Sequence, residues 1–404
     1  MADRLTGVVR EAGGQSNGTP GVATATGDLT GTFVAQNDRA KTYGRFTIGT
    51  DGAWTYTLND ANADVQALNA GEVLHELVTV ATAGGPTKVI DITIQGANDA
   101  AVITGTAARS VKEKSGVNNG TAGIATATGD LNATDVDDAA TFVAQSNVAK
   151  RYGRFTINSA GTWSYALNDG NAAVQGLNIG GVLHELVTVK TADGTSKVID
   201  ITINGANDAA VISGTAARTV MEKSGVNNGT VGVATATGDL NATDVDNAAT
   251  FVAQSNVAKR YGRFTINSAG TWSYTLNDRS SAVQGLNTGG VLHELVTVKT
   301  ADGTAKVIDI TIKGANDAAV ISGTAAGSVT EKSGVANGTA GVATATGDLN
   351  ARDVDNAATF VAQTDAAKSY GSFTIGTDGA WSYTLDDARR RSRRSMPATR
   401  CTSW

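Results

Sequence analysis

Four tryptophans stand 109 residues apart, at Trp54, Trp163, Trp272 and Trp381. His75, His184 and His293 keep the same step, and so do Asn98, Asn207 and Asn316. The segment TFVAQSNVAKRYGRFTINSAGTWSY occurs unchanged at 141–165 and 250–274. A chain built this way is an array of like units. A period of 109 residues is too long for a solenoid repeat and suits one whole β-sandwich domain per copy. The copies run over 1–99, 100–208, 209–317 and 318–387.

Two copies are irregular. Copy 1 passes from Asp28-Leu29 through Thr30-Gly31 to Thr32-Phe33, where copy 2 inserts NATDVDDAA after Leu131. The first copy therefore lacks the acidic loop. Copy 4 stops at Asp387, before any counterpart of the VLHELVTV and KVIDITI segments. The tail 388–404, ARRRSRRSMPATRCTSW, matches no copy; it reads better as a frameshifted or misassembled end than as a basic binding tail.

Within a copy the pattern is that of strands. GTWSYAL alternates large and small residues, so Trp163, Tyr165 and Leu167 share one face. SVKEKS, GIATATGDL, TFVAQ, RFTIN, VLHELVTV and KVIDITI supply the other expected strands, and AAVQGLN at 172–178 suits a single helical turn. Seven or more strands without helical periodicity predict an all-β, two-sheet antiparallel sandwich per copy, the last one truncated. The Trp and Tyr rings are expected to fill the space between the sheets. The competing reading makes them an exposed platform that stacks on sugars.

Composition supports this and excludes other classes. Gly is 48 of 404 and Pro only 3, which fits tight turns and not collagen. The single Cys, Cys401, allows no internal disulfide. Six of the 32 basic residues lie in 388–404, leaving 26 against 38 acidic groups in 1–387. An acidic body disfavours nucleic acid and anionic membranes and favours cations. No apolar run reaches a membrane-spanning length, and the N-terminus has no signal-peptide core.

GTWSYAL, then Val174-Gln175-Gly176-Leu177, VLHELVTV, Ala192-Asp193-Gly194-Thr195 and ITINGANDAAVISG together resemble the VCBS repeat. The resemblance covers copies 1 to 3 fully and copy 4 up to Asp387. It implies Ig-like or cadherin-like sandwiches strung in tandem in large bacterial secreted or surface proteins, often adhesins exported by a type I route. Two features depart from the family. Ala100-Ala101, Ala209-Ala210 and Ala318-Ala319 stand where Pro usually follows the Asn-Asp, so the junctions are expected to be less stiff. Glycine-rich nonapeptide repeats are absent.

The chemistry that the chain suits is cation binding. Calcium takes six to eight hard oxygens from carboxylates, amides and carbonyls. Each junction offers an Asn-Asp pair: Asn98-Asp99, Asn207-Asp208 and Asn316-Asp317. Later copies offer a strand Glu, namely Glu113, Glu222 and Glu331, and an Asp-x-Asp loop, namely Asp135/Asp137, Asp244/Asp246 and Asp353/Asp355. This trio resembles the calcium clamps of cadherin junctions; the same residues also suit Asx turns and a solvated loop. Which Glu serves which junction stays open. A site that uses a copy's own Asp-x-Asp loop loses ligands in copy 1. Catalysis has no support, since one His per copy makes no cluster.

Two function classes follow. One is a non-enzymatic structural or adhesive array, secreted or on the cell surface and stiffened by calcium. Its partners would be neighbouring repeats and a cell-surface or matrix receptor. The other is a carbohydrate- or ligand-binding module.

Overall fold

The computed structural model describes residues 5–388, so the reading of the Arg-rich tail falls, save for Ala388, outside the described residues. Two compact units emerge, Met1–Ala209 with Asp244–Asn247, and Ala210–Thr243 with Ala248–Trp404.

Copy 2, in the first unit, shows the pattern. Its elements are β1 (Val102–Gly105), β2 (Ala108–Lys112), β3 (Thr126–Thr134), β4 (Gln145–Ala149), β5 (Gly153–Ile157), β6 (Thr162–Leu167), α1 (Ala172–Gln175), β7 (Val182–Lys190) and β8 (Ser196–Asn204). Five strands form one sheet in the order β4-β5-β6-β3-β1, and three form the other, β7-β8-β2. β3 is long enough to serve two neighbours. Thr126–Asp130 pair with β6, and Leu131–Thr134 pair with β1. Copy 3, in the second unit, repeats this arrangement, with sheets of five and three strands.

Two expectations need correcting. The sandwich is not wholly antiparallel, because β2 runs parallel to β8, Asp200 opposite Ala108 through Asn204 opposite Lys112. The first strand must lie beside the last to close the smaller sheet, and both leave the same end of the sandwich. TFVAQ, secondly, is not a strand. Phe142 makes one isolated bridge to Thr191, and the strand begins at Gln145. A bulge follows at once, with Asn147 at φ +52°, a left-handed conformation that Asn tolerates.

Alternation fixes the core. In β6 the residues Trp163 and Tyr165 are 1% exposed, and Phe155 of β5 stacks on Trp163 at 6.1 Å. Val187, Val189, Ile199, Ile201 and Ile203 meet them from the smaller sheet. The indole Nε1 donates to the Thr106 carbonyl at 2.9 Å, so the buried ring leaves no polar atom unpaired. Gly129 lies opposite Trp163, and a Cβ there would come within 2.7 Å of the ring. Glu185, alternating inward beside His184, is 7% exposed. Its carboxylate accepts the Tyr152 N–H at 2.7 Å and the Tyr165 hydroxyl at 3.4 Å. The Trp is therefore a core residue in every copy, Trp54 and Trp272 being 2% and 1% exposed and Trp381 6%. No aromatic platform faces solvent at these positions.

Copies 1 and 4 are incomplete in different ways. In copy 1 the larger sheet has four strands, and the counterpart of β3 stops at Asp28, because the missing residues would have continued it. Its core still holds sixteen buried residues, Val9 through Ile94. Copy 4 keeps the five-stranded sheet but, among the described residues, has no three-stranded partner. Only Phe373, Ile375 and Trp381 are buried there, at 8%, 8% and 6% exposure. Val335 and Val361 stay 96% and 86% exposed.

Stability should follow this contrast. Each apolar Å² left wet forgoes roughly 25 cal/mol, so residues 318–388 are expected to open first. Limited proteolysis of the full chain, read by mass spectrometry, should cut within 318–388 while fragments spanning 100–317 persist. Equal survival of Trp381 and Trp163 peptides would refute this.

Candidate metal centre

The first turn of each copy brings a Glu to one end of the sandwich. In copy 1 this is Glu11, just after strand Thr6–Arg10, and it is 1% exposed. Its Oε1 accepts the Ala97 N–H at 2.8 Å, while its Oε2 is buried without a partner. Asp60 follows the Trp54 strand and accepts the Ala12 N–H at 2.9 Å and the Asn17 amide at 3.2 Å. Asp99, 5% exposed, lies beside them through the parallel bridge of Gly14 and Asp99. Its N–H donates to Asp137 Oδ2 at 2.9 Å. Asp135 Oδ1 accepts the Asp137 and Asp138 N–H groups, an Asx-type loop that turns the remaining oxygens inward. Asp99 Oδ1, Asp135 Oδ2 and Asp137 Oδ1 are all buried without partners.

Two further clusters repeat this one. Glu113, Asp169, Asp208, Asp244 and Asp246 form the second, all within the first compact unit. Glu222, Asp278, Asp317, Asp353 and Asp355 form the third, within the second unit. Orphaned oxygens recur as Glu113 Oε2, Asp208 Oδ1, Asp244 Oδ2 and Glu222 Oε2. Asp169 and Asp278 are placed by backbone donors, the Lys114 and Lys223 N–H groups.

The structure groups these acids across copies. A strand Glu meets the Asn-Asp that ends its own copy, and the Asp-x-Asp loop comes from the next copy. Glu113 thus joins Asp208 and not Asp99. The first cluster takes Asp135 and Asp137 from copy 2, so the loop that copy 1 lacks removes nothing from it. Glu331 is exposed and gathers no such cluster among the described residues. Glu11, Asp60, Asp169 and Asp278 escaped the sequence reading. The last three share an Asn-Asp step after each Trp strand, the one signal that pointed to them. The Asn98, Asn207 and Asn316 carbonyls accept the Gly14, Gly116 and Gly225 N–H groups, and the Asn207 and Asn316 side chains also accept from Asn247 and Asn356.

Electrostatics agree with the geometry. Burial pushes the Glu11, Glu113 and Glu222 carboxyls up to about 7, against one backbone hydrogen bond each and with help from neighbouring carboxylates. Burial and the adjoining Asp raise Asp137 and Asp246 to about 6. Asp99, Asp208 and Asp317 are raised for the same two reasons. Lys114 and Lys223 reach the outer members Asp169 and Asp278 at 3.8 and 3.9 Å. Among the described residues no three acidic or His side chains already close on one point as a metal shell. The donor set is all oxygen, which suits calcium and not zinc. A cleft lined by Gly14, Asn17, Gln66, Asp99 and Asp135 opens onto the first cluster.

The histidines stand elsewhere. His184 Nδ1 lies 2.9 Å from Asp200 Oδ1 across β7 and β8, with both side chains substantially exposed. His75–Asp91 and His293–Asp309 repeat the pair at 2.8 Å.

Residues 98–205 match a family model described as a bacterial cadherin-like domain. Copies 2 and 3 are nearly identical in sequence, so the match to one describes a tandem repeat of cadherin-like units. No curated protein matches the chain. Among solved structures, protocadherin gamma B2 extracellular cadherin domains 3-6 is similar at 10% identity, covering 96% of this chain and 90% of its own, with a TM-score of 0.38. Mouse cadherin-23 EC22-24 is similar at 12% identity, covering 76% and 95%, with a TM-score of 0.34. The human desmocollin-1 ectodomain gives 10%, 96% and 74%, with a TM-score of 0.28. No helix among the described residues is long and apolar enough to cross a membrane.

A pH dependence of fixed sign follows for the metal-free protein. The three Glu carboxyls sit near 7 when folded, against an ordinary 4.5. The folded chain therefore holds more protons than the unfolded chain between those values, and stability must fall as pH rises through them. Calorimetry in chelator should give a lower melting temperature at pH 7.5 than at pH 5. Saturating calcium should remove that slope, and a metal-free profile flat from pH 5 to 7.5 would contradict the burial argument.

Proposed function

We propose that the chain is a non-enzymatic structural and adhesive array of a bacterial extracellular protein, its junctions stiffened by calcium. The modules of this reading are residues 1–99, 100–208, 209–317 and the truncated 318–387. The observation that carries it is the set of buried carboxylate oxygens without partners, repeated at each junction. A buried acid with neither donor nor cation is costly, and three copies of that cost imply a ligand that offsets it. Glu11, Asp60, Asp99, Asp135 and Asp137 would hold calcium at the first junction. Their counterparts are Glu113, Asp169, Asp208, Asp244 and Asp246, and then Glu222, Asp278, Asp317, Asp353 and Asp355. Bound there, the cation ties the strand end of one copy to the linker and loop of the next. A linker of Asn-Asp-Ala-Ala would otherwise hinge.

The VCBS resemblance supports a large secreted or surface protein exported by a type I route, with a cell-surface or matrix receptor as partner. The sugar-platform reading loses its main support, because the Trp and Tyr rings lie between the sheets.

The test is thermal unfolding and small-angle scattering of the full chain in calcium and in chelator. Calcium at a hundredfold excess over its dissociation constant should stabilise by about 2.7 kcal/mol per independent site and lengthen the particle. Asp137→Ala should weaken the response at the first junction. Identical melting and scattering in calcium and chelator would overturn the proposal.

A further inference from the structure

The residue that bears the most on the first cluster without belonging to it is Asp193. It sits in the Thr191–Thr195 turn between β7 and β8, far along the chain from the linker, yet its Oδ2 accepts the Ala101 N–H at 3.2 Å. The turn is itself braced. Asp193 Oδ1 accepts the Thr195 N–H at 3.3 Å, and Asp193 Oδ2 accepts the Thr195 hydroxyl. Burial raises the Asp193 carboxyl, but the Thr191 and Thr195 hydroxyls and the two N–H groups outweigh it, so the group stays ionised and below the usual range. Ala101 lies 2% exposed in this grip, two residues after Asp99.

The copies supply an internal comparison. Asp302 makes the same bond to Ala210, at 3.1 Å, and Ala210 is also 2% exposed. At the third linker no described residue bonds the Ala319 N–H, and Ala319 is only half-buried. Position 84, the counterpart of Asp193 in copy 1, is Gly84.

We propose that Asp193 is a positioning residue for the first cation cluster. It clasps the Ala101 N–H and so holds the linker in the course that presents Asp99 to Glu11 and Asp137. The third linker shows no such clasp among the described residues and serves as the internal control. This inference rests on the calcium reading, and the experiment separates the two.

Hydrogen exchange by mass spectrometry on the full chain, titrated with calcium alone, reads each linker separately. The peptides QGANDAAVITG (95–105) and KGANDAAVISG (313–323) differ in sequence and can be told apart. In the wild type the first linker should be protected at lower calcium than the third. Asp193→Ala should raise the calcium midpoint of peptide 95–105 roughly tenfold, as outer-shell losses commonly do, and leave peptide 313–323 unmoved. Asp193→Asn, whose amide oxygen still accepts the N–H, should restore most of the shift. Thr195→Ala, which removes one brace and not the clasp, is the milder variant if Asp193→Ala loses protection at Trp163. An unchanged midpoint in Asp193→Ala with calcium protection intact overturns the clasp and spares the calcium reading. No protection by calcium at any linker of the wild type overturns the calcium reading, and the clasp with it.

Discussion

A carboxylate taken out of water without a partner is among the costliest things a folded chain can hold. This chain does it three times, at Glu11, Glu113 and Glu222, each 0–1% exposed and each with one oxygen left unbonded. Everything at that end of the sandwich converges on the same point. The parallel pairing of β2 with β8 carries the chain past the Glu toward the linker. The Asp after the Trp strand caps the next backbone N–H, and the Asp-x-Asp loop folds over from the following copy. Each of these could be an ordinary turn on its own. Together they build a negative pocket in which lysine reaches only the outer Asp169 and Asp278, at 3.8 and 3.9 Å.

The sandwich that supports this is held by a simpler interaction. Alternate residues of β6 and β5 stack an indole on a phenyl ring, against the Ile and Val rows of β7 and β8. The fit is close enough that only Gly serves at position 129. The opposite alternation puts Glu185 inward, where it caps the Tyr152 N–H and the Tyr165 hydroxyl, and His184 outward beside Asp200. The His-Glu adjacency is thus two unrelated devices on two faces of one strand.

Much of the fold was legible in the sequence, because period-2 alternation and a 109-residue repeat are local and regular signals. GTWSYAL, RFTIN, VLHELVTV and KVIDITI fall where alternation puts them. The parallel β2–β8 pair was not legible, since strand direction across a sheet depends on which ends meet in space. TFVAQ misled because its apolar residues bury as a lone bridge at Phe142, with no ladder on either side. Of the clusters, the Asn-Asp and Asp-x-Asp members could be named from spacing. Asp60 and Glu11 could not, because nothing in copy 1 alone tells an acid in a turn from an acid beneath the next copy. Ownership was hidden for the same reason: a ligand set divided between copies has no spacing of its own.

That division explains how irregular copies can coexist with regular clusters. The Asp-x-Asp loop that a copy gives to the cluster before it lies in its first half. The Glu and the post-Trp Asp are held in every copy that has the three-stranded sheet, copy 1 included. The three clusters among the described residues draw their Asp-x-Asp loops from copies 2, 3 and 4. Copy 4 lacks the smaller sheet among its described residues, yet Asp353 and Asp355 still reach Asp317, through the same Asp317 N–H to Asp355 bond at 3.0 Å found at the other two junctions. Its own Glu331, without that sheet beside it, lies in solvent. The cluster is therefore directional. Each copy with a three-stranded sheet carries the Glu half of a cluster at its far end, and copy 4, without that sheet among its described residues, still supplies the loop half.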